Sequence, residues 1–147
     1  MDVIRLVFGG GKVIRKAPRN VAWRAVRPRA QPHPVRAWIA DGDRRVRGDG
    51  GKLHAKAGRD VIVEHGADDR SVVRLDIFER TYEPLGGGLY RKRDDVTLRY
   101  FTLDRPAIVE TLEGPQEARP GDWIMQGVAG ELWPVPADRA LEKYQPV

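Results

Sequence analysis

The chain has no cysteine, and among its 147 residues there are only two methionines and three histidines. Without cysteine there is no disulfide framework, no thiolate nucleophile and no Cys-based zinc site. His33, His54 and His65 do not share the close spacing with which one element presents two metal ligands. The stretch "DGDRRVRGDG" (41–50) has the acid and glycine rhythm of a calcium loop, yet it lacks the distal glutamate and its three arginines would repel a cation. The sequence therefore predicts no metal and no cofactor. Long apolar runs are also missing: "VIRLVF" is interrupted by Arg5 and ends at Gly9, far short of the roughly 20 residues that span a bilayer. A cytoplasmic protein with no membrane partner is expected. No G-x-S-x-G, P-loop or G-x-G-x-x-G is present.

What the chain does have is arginine, 20 against 6 lysines. Residues 1–60 carry 15 Lys+Arg against 5 Asp+Glu, whereas 61–147 carry 11 against 16. Such asymmetry points to an anionic partner, or to attraction between parts of the same molecule. Arginines interleave with Trp23 and Trp38, as a phosphate-tracking surface requires. Arg24, Arg44, Arg45 and Arg47 are the candidate contacts, the last three on an expected exposed loop. The alternative is a solvated arginine-rich face.

The chain also repeats itself. Ala57 to Leu85 aligns without a gap on Arg119 to Val147, with seven identities in 29 positions, including Asp60/Asp122, Ile62/Ile124, Tyr82/Tyr144 and Pro84/Pro146. Upstream, "GKLHAKAG" matches "GPQEARPG" once Arg59 is counted as an insertion, and "IRKAPRNVAWRAV" resembles "YRKRDDVTLRYF". Two copies are expected, a degenerate one over 1–85 and a second over 89–147, joined by a flexible Gly86-Gly87-Gly88 and packed as one globular unit. Alternation in "DVTLRYFTL", with Val96, Leu98 and Tyr100 on one side, predicts an antiparallel strand with one buried face. Short apolar runs such as "VRAWIA", "DVIVEH", "SVVRL", "AIVETL" and "ELWPV", punctuated by Gly, Pro and Asp, predict further strands. "DIFERTYEPL" reads as a helix with Asp76 as N-cap and Glu79 closing a capping box, and Asp138 holds the same place in the second copy. The fold class is α+β, mainly antiparallel β: two tandem copies of a small curled sheet or barrel, each ending in a short helix.

In the second copy, "TLEG", Pro120-Gly121-Asp122-Trp123, Gly127, Gly130-Glu131, Pro134 and the ending Tyr144-Gln145-Pro146-Val147 resemble a family of small phage and bacterial proteins with a PGDYG-type motif. Trp123 stands where that family usually has tyrosine. The resemblance implies a domain identity and no established activity.

Two readings compete for this motif. Pro120 pre-sets φ and Gly121 supplies the positive φ of a type II turn, with Asp122 accepting a local backbone N–H. In the sharper reading Asp122 and Glu131 face each other across a hairpin as an acid and base pair. Trp123 and Trp133, flanking the next turn, are either a core pair or a stacking platform for a base. The first functional expectation is a non-enzymatic binding module for nucleic acid or a nucleotide-like ligand. The alternatives are a small enzyme on a nucleotide or sugar-phosphate, and a protein-partner or anti-defence role by analogy with phage relatives. A chain carrying two copies is expected to be a monomer with internal pseudo-symmetry or a weak homodimer.

Overall fold

The computed structural model describes residues 12–48 and 51–147. In chain order the elements are β1 (Lys12–Ile14), β2 (Arg24–Pro28), β3 (Val35–Ile39), β4 (Arg44–Gly48), β5 (Gly51–Ala55), β6 (Asp60–Gly66), β7 (Asp69–Arg74), α1 (Leu75–Thr81), β8 (Tyr82–Gly86) and β9 (Leu89–Lys92). They continue with β10 (Leu98–Thr102), β11 (Ala107–Thr111), β12 (Gly114–Ala118), β13 (Trp123–Gln126), β14 (Leu132–Val135), α2 (Ala137–Lys143) and β15 (Tyr144–Pro146). The α+β, mainly antiparallel fold class holds. Its sheets are open, and none of them closes into a barrel among the described residues.

These elements form two compact units that do not divide at the glycines. The inner unit is 30–94; the split unit joins 12–29 to 95–147. The inner unit has a five-stranded sheet in the order β7-β6-β3-β9-β8, and the split unit one in the order β14-β13-β10-β2-β15. Position for position the two sheets match: from β3 to β8 and from β10 to β15 the chain makes the same succession of five strands, a seven-residue helix and a strand. The registers agree as well. Ile39 pairs with Val61 as Thr102 pairs with Trp123, and Val61 pairs with Val73 as Trp123 pairs with Val135.

One strand in each sheet comes from the other repeat. β9 opens the second repeat, yet it lies between β3 and β8 of the inner unit. β2 opens the first, yet it lies between β10 and β15 of the split unit. The exchanged strands keep one register, Val35 with Tyr90 matching Leu98 with Val26, and Tyr82 with Lys92 matching Tyr144 with Pro28. The counterpart of "DVTLRYFTL" is therefore β3, not the β2 region with which sequence similarity aligns it. Gly86, Gly87 and Gly88, with φ of 95°, 63° and 79°, form the turn of the β8–β9 hairpin rather than a linker between copies. Positive φ at three successive residues is a conformation that glycine alone adopts without steric cost.

Each main sheet is covered on both faces. One face takes the helix. In the split unit Val26, Leu98, Trp123, Met125, Val135, Ala140 and Tyr144 cluster there, and in the inner unit Val35, Ala37, Val61, Val63, Phe78 and Tyr82 do. The other face takes a hairpin, β11–β12 over Phe101, Leu103 and Ile124, or β4–β5 over Ala40 and Ile62. This second layer corrects the one-face expectation for β10: Leu98 and Phe101 lie on opposite sides and both are buried. It also corrects the loop expected around 41–51, where β4 forms with Val46 buried. Asp49 and Gly50 lie outside the described residues.

The capping box does not form. α1 begins at Leu75, so Asp76 sits inside the first turn, where the Arg74 guanidinium holds its carboxylate, Nη2 to Oδ2 at 2.8 Å. Neither helix has a side-chain N-cap. α1 follows β7 directly, α2 follows β14 after Pro136 alone, and each is closed by a tyrosine, whose N–H donates to the Phe78 or Ala140 carbonyl.

Candidate anion-binding hairpin

The basic half of the sequence does not become a basic half of the molecule. Residues 12–29 join the acidic C-terminal part, so residues 30–94 hold 13 Lys+Arg against 11 Asp+Glu and residues 12–29 with 95–147 hold 12 against 9. Charge concentrates locally instead, on the β4–β5 hairpin. Alternation along β4 turns Val46 inward and leaves Arg45 and Arg47 exposed. The register then sets Arg45 opposite His54 and Arg47 opposite Lys52. Arg44 is tied to Asp41 at 2.9 Å in an exposed pair, whereas neither Arg45 nor Arg47 has a partner among the described residues.

The equivalent hairpin of the split unit carries the reverse pattern. Ile108 opposite Glu117 and Glu110 opposite Pro115 take the places of Arg45/His54 and Arg47/Lys52. This hairpin also has a third strand: β1 runs parallel to β11, with Val13 beside Ile108 and Ile14 beside Val109. Arg15, the next residue, donates from Nε to Glu110 Oε1 at 3.1 Å. The depression of about 550 Å³ along Lys12–Arg19 is walled by that one segment and open to solvent, so it does not enclose a small ligand.

The tryptophans divide sharply. Trp123 is buried and stacks on Tyr100, ring centroids 3.6 Å apart and planes 4° from parallel. Trp133 packs against the same cluster and donates to the hydroxyl of Tyr144. Burial pushes that phenol up to about 12, only partly offset by the indole N–H. Trp123 is core and Trp133 is half-buried against it, both on the helix-covered face of the sheet, and they do not form an open platform. Trp23 is half-buried, edge-on to Phe101 at 5.1 Å, with the Arg99 guanidinium 4.0 Å above it and its N–H donated to the Pro18 carbonyl. Arg24, beside it, is exposed on β2 opposite Tyr100. Trp38 alone is open, 40% exposed beside Ile39 at 52%, with Arg70 at 5.8 Å from its ring centre.

The Pro-Gly-Asp segment is the turn its composition implies. Gly121 has φ 92°, Asp122 N–H donates to the Arg119 carbonyl, and Asp122 Oδ2 accepts from Arg119 N at 2.9 Å. In the inner unit Gly58 has φ 72°, and the turn is one residue longer because Arg59 is inserted. Asp60 Oδ2 accepts from Lys56 N at 2.9 Å and from Arg59 Nη2 at 2.7 Å. Burial raises the Asp60 pKa, but the Arg59 and Lys56 hydrogen bonds outweigh it and hold the carboxyl below its ordinary value.

Asp122 and Glu131 are not brought together. Asp122 precedes β13, whereas Glu131 closes the turn at its far end, where Gly127 N–H donates to its carbonyl. Five residues of extended chain, roughly 16 Å, separate the two positions. The Glu131 carboxylate folds back over Gly127, accepting from Ala129 N at 3.0 Å, and a Cβ at Gly127 would collide with it. Both acids complete backbone turns, and no shared acid and base site exists between them. Among the described residues no group of acids and histidines is placed to hold a metal ion.

Sequence reasoning missed His54 and Lys52, because the strand pairing that sets them opposite Arg45 and Arg47 is hidden when 41–51 is taken for a loop. The signal was there, in the Gly-Asp-Gly-Gly between two short runs. No helix among the described residues is long and apolar enough to cross a membrane. No protein-family model, no curated protein and no solved structure matches this chain.

Proposed function

We propose that this protein is a non-enzymatic binding module for an extended anionic partner, and that the β4–β5 hairpin makes the contact. The observation that carries this reading is the exposure of Arg45 and Arg47, neither with an acidic partner among the described residues, on a hairpin whose counterpart bears Ile108 and Glu110 at those positions and Glu117 across from them. Two exposed arginines side by side on one strand repel one another until an anion lies across them, so the arrangement favours an anionic partner. A flat strand pair suits an extended polyanion better than a small nucleotide, which is ordinarily held in a concave site. The PGDYG-type resemblance remains a proposal about ancestry. Its residues in this chain are turn and core residues, which supports a shared fold more than a shared ligand site.

Retention on heparin tests the reading. The protein is expected to bind at low salt, and the double variant Arg45→Ala/Arg47→Ala to elute earlier. Its log–log salt dependence is expected to be shallower by about 1.4–1.8 for two lost contacts. Arg24→Ala, on the split unit, serves as the control for net charge. Equal elution of the double variant and Arg24→Ala would remove the hairpin from the reading.

A further inference from the structure

The two hairpins differ in one more way, and it specifies a partner. β11 is hydrogen-bonded to β12 on one side and to β1 on the other; β4 is hydrogen-bonded to β5, and among the described residues no strand pairs with its outer edge. In the split unit the strand on that edge buries Ile14 to 3% in the cluster of Phe101, Leu103 and Val109. Nine residues later the same segment lays Trp23 against Phe101. Phe101 is thereby reduced to 5% exposure, while Trp38, its counterpart in the inner unit, stays at 40%. The residues that cover the split unit's hairpin edge and aromatic have no equivalent in the described part of the inner unit. Among the described residues, nothing pairs with that edge or covers that ring.

Charge supplies the rest. β1 is locked on by Arg15 against Glu110, and the residue at the Glu110 position in the inner unit is Arg47. A strand seated on β4 as β1 is seated on β11 would bring its own residue at the Arg15 position against Arg47. An acid there forms a pair, and a base there is repelled. Arg45, two residues back along the same strand, adds to the preference.

We infer that the outer edge of β4 is a docking site for an extended acidic polypeptide segment of another protein, added as a parallel strand. An apolar side chain of that segment would enter beside Val46, an acidic residue after it would meet Arg47, and a downstream aromatic would cover Trp38. Strand addition of this kind draws affinity from main-chain hydrogen bonds and selectivity from the alternate side chains. The inference rests on the anionic-partner reading and narrows it to polypeptide.

A fluorescein-labelled peptide of residues 12–23 of this chain carrying Arg15→Glu, Lys16→Glu and Arg19→Glu serves as the acidic probe, read by fluorescence anisotropy, with the unaltered peptide as its basic partner. The acidic peptide is expected to bind and the basic one to bind at least tenfold more weakly. Arg47→Glu is expected to reverse that order, and Trp38→Ala to weaken the acidic peptide several-fold. Amide shifts on binding should centre on 44–48 and the Trp38 indole. An Arg47→Glu variant that keeps the order of the two peptides overturns the inference, as do shifts centred elsewhere. Acidic-peptide binding seen only after deletion of residues 1–11 assigns the edge to the chain's own N-terminus and also overturns it. An oligothymidylate that binds through Arg45 and Arg47 while neither peptide binds overturns this inference and leaves the proposed function standing. If neither peptide nor oligothymidylate nor heparin binds, both fall.

Discussion

The β11–β12 and β4–β5 hairpins occupy the same place in two copies of one repeat and have been finished differently. The first is acidic, has a third strand, and roofs a buried Phe101. The second is basic, has an edge that no described strand pairs with, and stands beside an exposed Trp38. The difference shows how a repeat can divide its tasks. The copy with its own covering segment spends its surface on self-association within the chain, and the copy without one keeps an edge, an aromatic and two uncompensated arginines facing outward.

The comparison can be broken most directly at the equivalent aromatics. Phe101→Ala removes a buried ring and the Trp23 contact and is expected to cost about 3–5 kcal/mol. Trp38→Ala, at an exposed position, is expected to cost under about 1 kcal/mol. Urea unfolding of both variants checks this, and equal losses would mean that Trp38 is covered in solution.

A smaller effect separates the two turn aspartates. Asp60→Asn weakens a bonded carboxylate that is 3% exposed and should cost about 1–3 kcal/mol, whereas Asp122→Asn, more exposed and without an arginine, should cost less. Because the folded Asp60 sits below its ordinary 3.8, its contribution is present above that pH and is lost as the pH falls through the lower folded value. Acid titration of stability should therefore be shallower in Asp60→Asn than in the parent protein.

Least in size is the alkaline limb at Tyr144. Its folded value of about 12 exceeds the ordinary 10.0, so the stabilisation is complete below pH 10.0 and is lost as the pH rises towards 12. Ultraviolet titration should show one tyrosine ionising late, and Tyr144→Phe should abolish that step and cost about 1 kcal/mol by leaving the Trp133 N–H unpaired.

The parts of this fold that were legible in the sequence are those set by neighbours in the chain. Pro120-Gly121-Asp122 reads as a turn because each residue's own φ preference and reach decide it, and the alignment of Asp60 with Asp122 holds in the strand register from there to Tyr82 and Tyr144. The helix cap was misread because α1 leaves β7 without a break, which moves Asp76 into the helix and into reach of Arg74. Partnerships across the chain were not legible. Nothing local tells β9 to lie beside β3, or shows that a hairpin will cover the second face of β10 and bury Phe101. Trp123 and Trp133 look like a ligand platform until their sheet is known to carry a helix on that side. The exposed Trp38 and its neighbouring arginines were visible as residue types, but only the unequal covering of two equivalent positions gives them a role.

The exchanged strands also set an order on synthesis. β2 leaves the ribosome before any strand that it will pair with has been made, and it must wait unpaired through the whole inner unit until β10 and β15 appear. The inner unit in turn cannot fill its fourth position until the second repeat has begun to emerge. Translation of this chain therefore passes through a long interval in which the strand made early is an unsatisfied edge, and contacts of such high sequence separation close slowly. A pause in elongation once Lys92 has cleared the ribosomal exit tunnel would let the inner unit close first, and a stop before Tyr144 would leave β2 without one of its two neighbours.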